Sequence, residues 1–105
     1  MTLAELIEKV KLPNQTKSDL EELRDSMAHL YSLYQLETAR IKKAKALFWA
    51  KMKPTTYEGK RITNTEVDNL WDCSEQGQRE IQLKYESIAL KELLSSIKHK
   101  LYSVY

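Results

Sequence analysis

Six lysines and two arginines crowd into one stretch of 22 residues, Arg40 to Arg61, which reads RIKKAKALFWAKMKPTTYEGKR. The only acid in that stretch is Glu58, and Phe48, Trp49 and Tyr57 share it. Cations presented together can neutralise neighbouring phosphates, and aromatic rings beside them offer planes on which unpaired bases stack. This combination suits single-stranded nucleic acid. Lys51, Lys53, Lys60 and Arg61 are the candidates to hold phosphates. Lys42, Lys43 and Lys45 would extend the electrostatic track, and Trp49 and Tyr57 are the candidates for stacking. No base-reading motif is visible, so sequence preference should be weak and binding should fall steeply with salt. A plainer reading competes. Cations near a helix C-terminus are favourable through the helix dipole alone, and Leu47, Phe48 and Met52 are expected to close a hydrophobic core.

The rest of the chain offers little for catalysis. There is no Gly-rich phosphate loop, HExxH pair or nucleophile elbow. His29 and His99 fall in different predicted helices. Antiparallel packing would bring them near one another, but a metal site would need further ligands. Cys73, the single cysteine, is expected to be a buried or half-buried structural thiol in a reducing compartment. The chain is therefore read as a non-enzyme with no catalytic residues, no metal and no cofactor.

Charge is sorted along the sequence. Residues 1–39 carry four basic and seven acidic residues, residues 40–61 eight and one, and residues 62–105 five and seven. Two mildly acidic flanks enclose a basic middle, a segregation that favours an anionic partner. With two Gly, two Pro and 30% charged residues, an all-α chain is expected. Six Tyr and two Trp are too many for a disordered tail. Met1 to Val10 carries two glutamates and does not read as a signal peptide. No apolar run reaches the length of a membrane span. The expected location is the cytoplasm, with no membrane partner.

The elements that must position the basic segment follow from spacing. Thr2-Leu-Ala-Glu5 is a capping-box pattern and opens a short helix of about residues 3–11, closed by Pro13 and Asn14. Ser18-Asp-Leu-Glu21 suggests a second box, opening a long helix of about residues 18–53. Its seam is Leu20, Leu23, Met27, Leu30, Tyr34, Glu37, Ile41, Ala44 and Phe48. Leu33, Leu36, Ala46, Leu47 and Ala50 would widen that apolar face. Pro54 ends the helix, and residues 54–62 form a basic turn. Thr63-Asn-Thr-Glu66 is a third box, opening another long helix of about residues 64–103. Val67, Leu70, Trp71, Ser74, Gln78, Ile81, Tyr85 and Ile88 form its first seam, and Leu90, Leu94, Ile97, Leu101 and Val104 its second. Gly77 is a place for a bend or break. The expected fold is one all-α domain, a long antiparallel helical hairpin with a short N-terminal helix, assembled as a homo-oligomer.

The run Ile41-Lys-Lys-Ala-Lys-Ala-Leu-Phe-Trp-Ala-Lys-Met-Lys53, followed by Tyr57-Glu-Gly59, resembles small phage recombination mediators of the UvsY type. In that family a basic-x-basic pair late in the first long helix, before a Tyr- and Gly-containing turn, is linked to single-strand binding. Lys51 and Lys53 occupy that pattern here. The resemblance covers roughly residues 25–104 as architecture and one loose motif, and Leu3–Val10 has no counterpart in it. It implies an accessory protein that helps a strand-exchange recombinase load on single-stranded DNA coated by single-strand-binding protein, working as a ring-like homo-oligomer in the host cytoplasm.

Two other classes fit the same residues. One is a small phage-type inhibitor or adaptor, for example an anti-CRISPR, that grips a host protein. Retention of a single host protein after nuclease treatment would be its mark. The other is a structural coiled coil that ignores DNA at low salt.

Overall fold

In the computed structural model, which describes residues 1–54, 56, 57 and 59–104 and their side chains other than those of Thr56, Tyr57 and Val104, the chain is all-α apart from one small ribbon. The elements are α1 (Leu3–Val10), α2 (Lys17–Met52), β1 (Thr56–Tyr57), β2 (Lys60–Arg61), α3 (Asn64–Cys73) and α4 (Glu75–Val104). No helix among the described residues is long and apolar enough to cross a membrane.

Side-chain caps set the helix starts. Thr2 Oγ1 accepts the Glu5 amide at 3.2 Å, and Thr63 Oγ1 accepts the Glu66 amide at 3.2 Å. Both hydroxyl caps stand where the Thr-x-x-Glu spacing puts them. The box that opens α2 lies two residues earlier than Ser18. Thr16 Oγ1 accepts the Asp19 amide at 3.1 Å, and the Thr16 amide donates to Asp19 Oδ2 at 3.0 Å. These bonds, the backbone one foremost, hold the Asp19 carboxyl below its ordinary pKa.

The chain divides into two compact units, one of Met1–Gln35 with Lys84–Tyr105 and the other of Leu36–Leu83. In the first unit Leu6, Leu20, Leu23, Met27, Tyr34, Leu90, Ile97 and Leu101 are buried. Leu6 is wholly covered within a single chain, so α1 docks on its own chain. Asn14 turns the chain between α1 and α2 with φ +58°, a left-handed conformation that asparagine tolerates. Gln15 Nε2 donates to the Lys9 carbonyl at 2.7 Å, an oxygen that also accepts the Leu12 amide at 3.2 Å at the end of α1.

The second unit holds the end of α2, the ribbon, α3 and the start of α4. Its buried side chains are Ile41, Ile62, Val67, Trp71 and Leu83. Partners across the unit run in opposite order. Glu37 meets Arg79, Lys45 meets Glu80, Phe48 meets Trp71 and Lys53 meets Asn64. The direction of α2 is therefore antiparallel to the α3–α4 segment here. The ribbon pairs Thr56 with Arg61 and Tyr57 with Lys60. Gly59 has φ +78°, which glycine adopts without a Cβ clash.

The segment from Asn64 onward is two helices, with the break at Ser74 rather than at Gly77. Ser74 is extended (φ −76°, ψ 160°). Its amide and hydroxyl both donate to the Trp71 carbonyl, at 3.0 and 2.5 Å. Its Oγ also accepts the Gly77 amide at 3.0 Å. One residue therefore closes α3 and caps α4.

This break resets the helical phase. Of the expected seam, Val67 and Trp71 are buried, but Leu70, Ile81, Tyr85 and Ile88 are exposed. The buried positions after Ser74 are Gly77, Leu83, Leu90, Ile97 and Leu101. The seam read for α2 is buried or half-buried throughout, but the expected broadening is absent. Leu33, Leu36, Ala46, Leu47 and Ala50 are all exposed. Cys73 is exposed as well, not buried or half-buried. It follows Trp71 by two residues, which is more than half a turn, so it leaves the face that Trp71 buries.

Candidate nucleic-acid interface

Every cation between Arg40 and Arg61 belongs to the second unit. That unit has nine basic residues (those eight and Arg79) and seven acidic ones (Glu37, Glu58, Glu66, Asp68, Asp72, Glu75 and Glu80). Net charge is small, so arrangement decides what the unit can attract. Glu66, Asp68, Asp72 and Glu75 lie on α3 and the first turn of α4, whereas the cations cluster on α2 and β2.

Among the described residues, Arg79 and Lys45 are held by carboxylates inside the unit. Arg79 grips Glu37 with both prongs, Nε to Oε1 at 2.7 Å and Nη2 to Oε2 at 2.9 Å. The Arg79 hydrogen bonds are the main reason the Glu37 carboxyl titrates below its ordinary range. Lys45 Nζ donates to Glu80 Oε1 at 3.4 Å, and Trp71 Nε1 donates to the same oxygen at 3.2 Å. Lys45 thus neutralises a half-buried carboxylate that also satisfies the indole of a core tryptophan.

Glu37 gives a pH prediction. Its folded pKa is depressed, so the stability it contributes is fully present above its ordinary pKa and is lost as pH falls through the depressed value. Both side chains are about one-third exposed. Solvent screening therefore limits the contribution to about 1 kcal/mol. In urea denaturation, Glu37→Gln should be less stable than the parent chain by that amount at pH 7. The two curves should converge as pH falls through that depressed value.

The remaining cations of α2 are exposed, but they do not share one face. Lys42, Ala46, Trp49 and Lys53 follow one another at four, three and four residues, which places them on one flank. Leu36, Arg40, Lys43, Leu47 and Lys51 follow at four, three, four and four, on another flank. Lys51 and Lys53 are two residues apart and point to nearly opposite sides. The basic-x-basic pair is thus contiguous in sequence and divided in space.

On the first flank Lys53 extends the last helical turn, its amide donating to the Trp49 carbonyl at 3.0 Å. Its ammonium lies 5.7 Å from the centre of the half-buried Trp49 ring and donates to Asn64 Oδ1. That is within range of a cation–π contact. On the second flank Leu36 and Leu47 are 56% and 58% exposed between the cations. Leu47 therefore closes no core, while Phe48 does, its ring 5.5 Å from that of Trp71.

Lys60 and Arg61 are exposed on β2, and as successive strand residues they point to opposite faces of the ribbon. The side chain of Tyr57 lies outside the described residues. Among the described residues, Lys42, Lys43, Lys53, Lys60 and Arg61 have no carboxylate within ion-pair distance. His29 and His99 are exposed in the first unit. No group of three or more metal-ligating side chains occurs among the described residues.

Residue types alone did not distinguish the engaged cations from the exposed ones. The partners of Lys45 and Arg79 lie 35 and 42 residues away in sequence. The division into two flanks, by contrast, is written in the spacing of the lysines. Comparison with known protein families, with curated proteins and with solved structures gives no match to this chain.

Proposed function

We propose that the chain is a non-enzymatic accessory protein that binds single-stranded nucleic acid through its Leu36–Leu83 unit. The finer reading is a recombination mediator. Such a protein binds single-stranded DNA as a homo-oligomer and helps a recombinase load on strands coated by single-strand-binding protein. The observation that carries the binding proposal is the flank of α2 on which two exposed ammonium groups, Lys42 and Lys53, bracket the half-buried ring of Trp49. Cations beside an accessible aromatic plane are what a single strand requires, phosphate contacts for affinity and stacking for strand preference. Duplex DNA keeps its bases stacked and would leave the indole unused.

A second reading draws support from the other flank. Leu36 and Leu47 stand exposed among Arg40, Lys43 and Lys51, a mixture that also suits an acidic protein surface with apolar patches. An inhibitor or adaptor of a host protein would use that side.

The two readings separate in a fluorescence anisotropy titration. The protein is added to a labelled single-stranded oligonucleotide and to its duplex, at low and then at moderate salt. Salt-sensitive binding that prefers the single strand is expected. Absence of binding to either at low salt would remove the nucleic-acid reading in favour of the protein-partner one.

A further inference from the structure

The two flanks of α2 carry equal numbers of candidate lysines, two each, but different neighbours. We propose, resting on the nucleic-acid reading above, that the single strand runs along the Lys42–Trp49–Lys53 flank and that Lys53 is exchanged from the Trp49 ring to a phosphate as a base stacks on the indole. The Arg40–Lys43–Lys51 flank holds no phosphate in this complex.

Four features support the choice. Lys42 and Lys53 are eleven residues apart on one side of a helix, about 16 Å at 1.5 Å per residue, which spans several phosphates of a strand. Trp49 lies between them. The only other tryptophan, Trp71, is 1% exposed and offers no surface to a base. Lys53 is already oriented by Asn64 and the Trp49 ring, so it reaches the edge of the indole without a search through rotamers. Its contact with the ring is of the weak, solvent-facing kind, readily given up for a phosphate oxygen. The opposite flank has Leu36 and Leu47 where a stacking strand needs planes, and both are more than half exposed.

The test compares two charge-matched double variants of the full chain, Lys42→Gln/Lys53→Gln and Lys43→Gln/Lys51→Gln. Each removes two positive charges, so any effect of overall field is the same in both. Glutamine keeps most of the side-chain length, and circular dichroism checks that helicity is retained. The probe is a labelled oligothymidylate of about 20 nucleotides, titrated at several salt concentrations. The first pair should lose at least tenfold in affinity, and its plot of log affinity against log salt should flatten by about 1.4, which is two phosphate contacts at about 0.7 each. The second pair should stay within threefold of the parent.

A second readout comes from the parent chain. Because Trp71 is buried, a fall in tryptophan emission on adding unlabelled oligothymidylate reports stacking on Trp49. Equal losses in the two pairs, or a larger loss in the second, would overturn the assignment of the flank while leaving nucleic-acid binding intact. Saturable binding with unchanged emission would overturn the exchange of Lys53 for a base on Trp49. A parent chain that binds no strand would overturn both this inference and the reading on which it rests.

Discussion

Replacing Gly77 with alanine should destabilise the protein by about 3 kcal/mol, although helix propensity alone argues for the opposite sign. Ala exceeds Gly by about 1 kcal/mol in a helix interior, and Gly77 stands in the first turn of α4. Yet a Cβ built there would lie 1.8 Å from the Trp71 carbonyl oxygen, 2.6 Å from the Trp71 carbonyl carbon and 3.0 Å from the Asp72 Cα. All three are backbone atoms, so no side-chain rotation relieves the clash. The end of α3 and the start of α4 would have to part. That movement would strain the Ser74 hydroxyl between the Trp71 carbonyl and the Gly77 amide. Insertions into a packed site cost about 1–3 kcal/mol and occasionally more, and a rigid backbone contact belongs at the upper end. Against a total stability of about 5–15 kcal/mol, the loss should be plain in urea denaturation. A midpoint for Gly77→Ala at or above that of the parent would show that the two helices do not approach as closely as described.

Trp71→Ala should have a similar or larger effect, a loss of about 4 kcal/mol. The side chain is 1% exposed and is the largest among the fully buried ones. Truncating such a residue removes its burial and leaves a cavity, together worth about 3–5 kcal/mol. Two specific contacts go with it. Phe48 packs at 5.5 Å with its ring tilted 53° to the indole, and the indole N–H donates to Glu80. Trp71→Phe separates these contributions, because it keeps an aromatic ring for Phe48 and removes only the donor and part of the volume. It should cost roughly half as much as Trp71→Ala. Equal losses for the two variants would mean that the hydrogen bond to Glu80, rather than packing, dominates at this position.

Both predictions concern the junction at Ser74, and that junction also separates what spacing revealed from what it concealed. The Thr2 and Thr63 caps and the α2 seam from Leu20 to Phe48 were legible, because each depends on residues within a turn or two of one another. The stretch from Ile81 to Ile88 was not, although Leu90, Ile97 and Leu101 of the second seam are buried as their spacing predicts. Val67 and Trp71 set a phase which, carried forward without a break, selects Ile81, Tyr85 and Ile88. Ser74 leaves helical geometry for one residue, and α4 restarts with Gly77, Leu83 and Leu90 facing inward. Ser74-Glu-Gln-Gly77 does carry a sign of this. A serine followed by an acid in the first turn is a helix start, and a glycine at the next inward position marks close approach of another backbone.

The candidate site was legible in composition and only partly in arrangement. The basic and aromatic stretch stood out from charge sorting, and its exposed lysines stand on the surface of a single unit. The engagement of Lys45 by Glu80 depends on a tertiary contact that no local pattern announces. The separation of Lys51 from Lys53 follows from helical geometry, since neighbours at i and i+2 do not share a face. The broadening of the α2 face by Leu33, Leu36 and Leu47 failed for a different reason. Apolar residue type does not require burial, and exposed leucines are common on protein surfaces.

The central claim is that this chain binds single-stranded nucleic acid through its basic unit. The anisotropy titration of a single strand against its duplex across salt concentrations tests it most directly. Binding that prefers the single strand and weakens steeply with salt is the expected result. No binding at low salt, or binding indifferent to both salt and strandedness, would contradict the claim and turn attention to a protein partner on the Leu36–Leu47 flank.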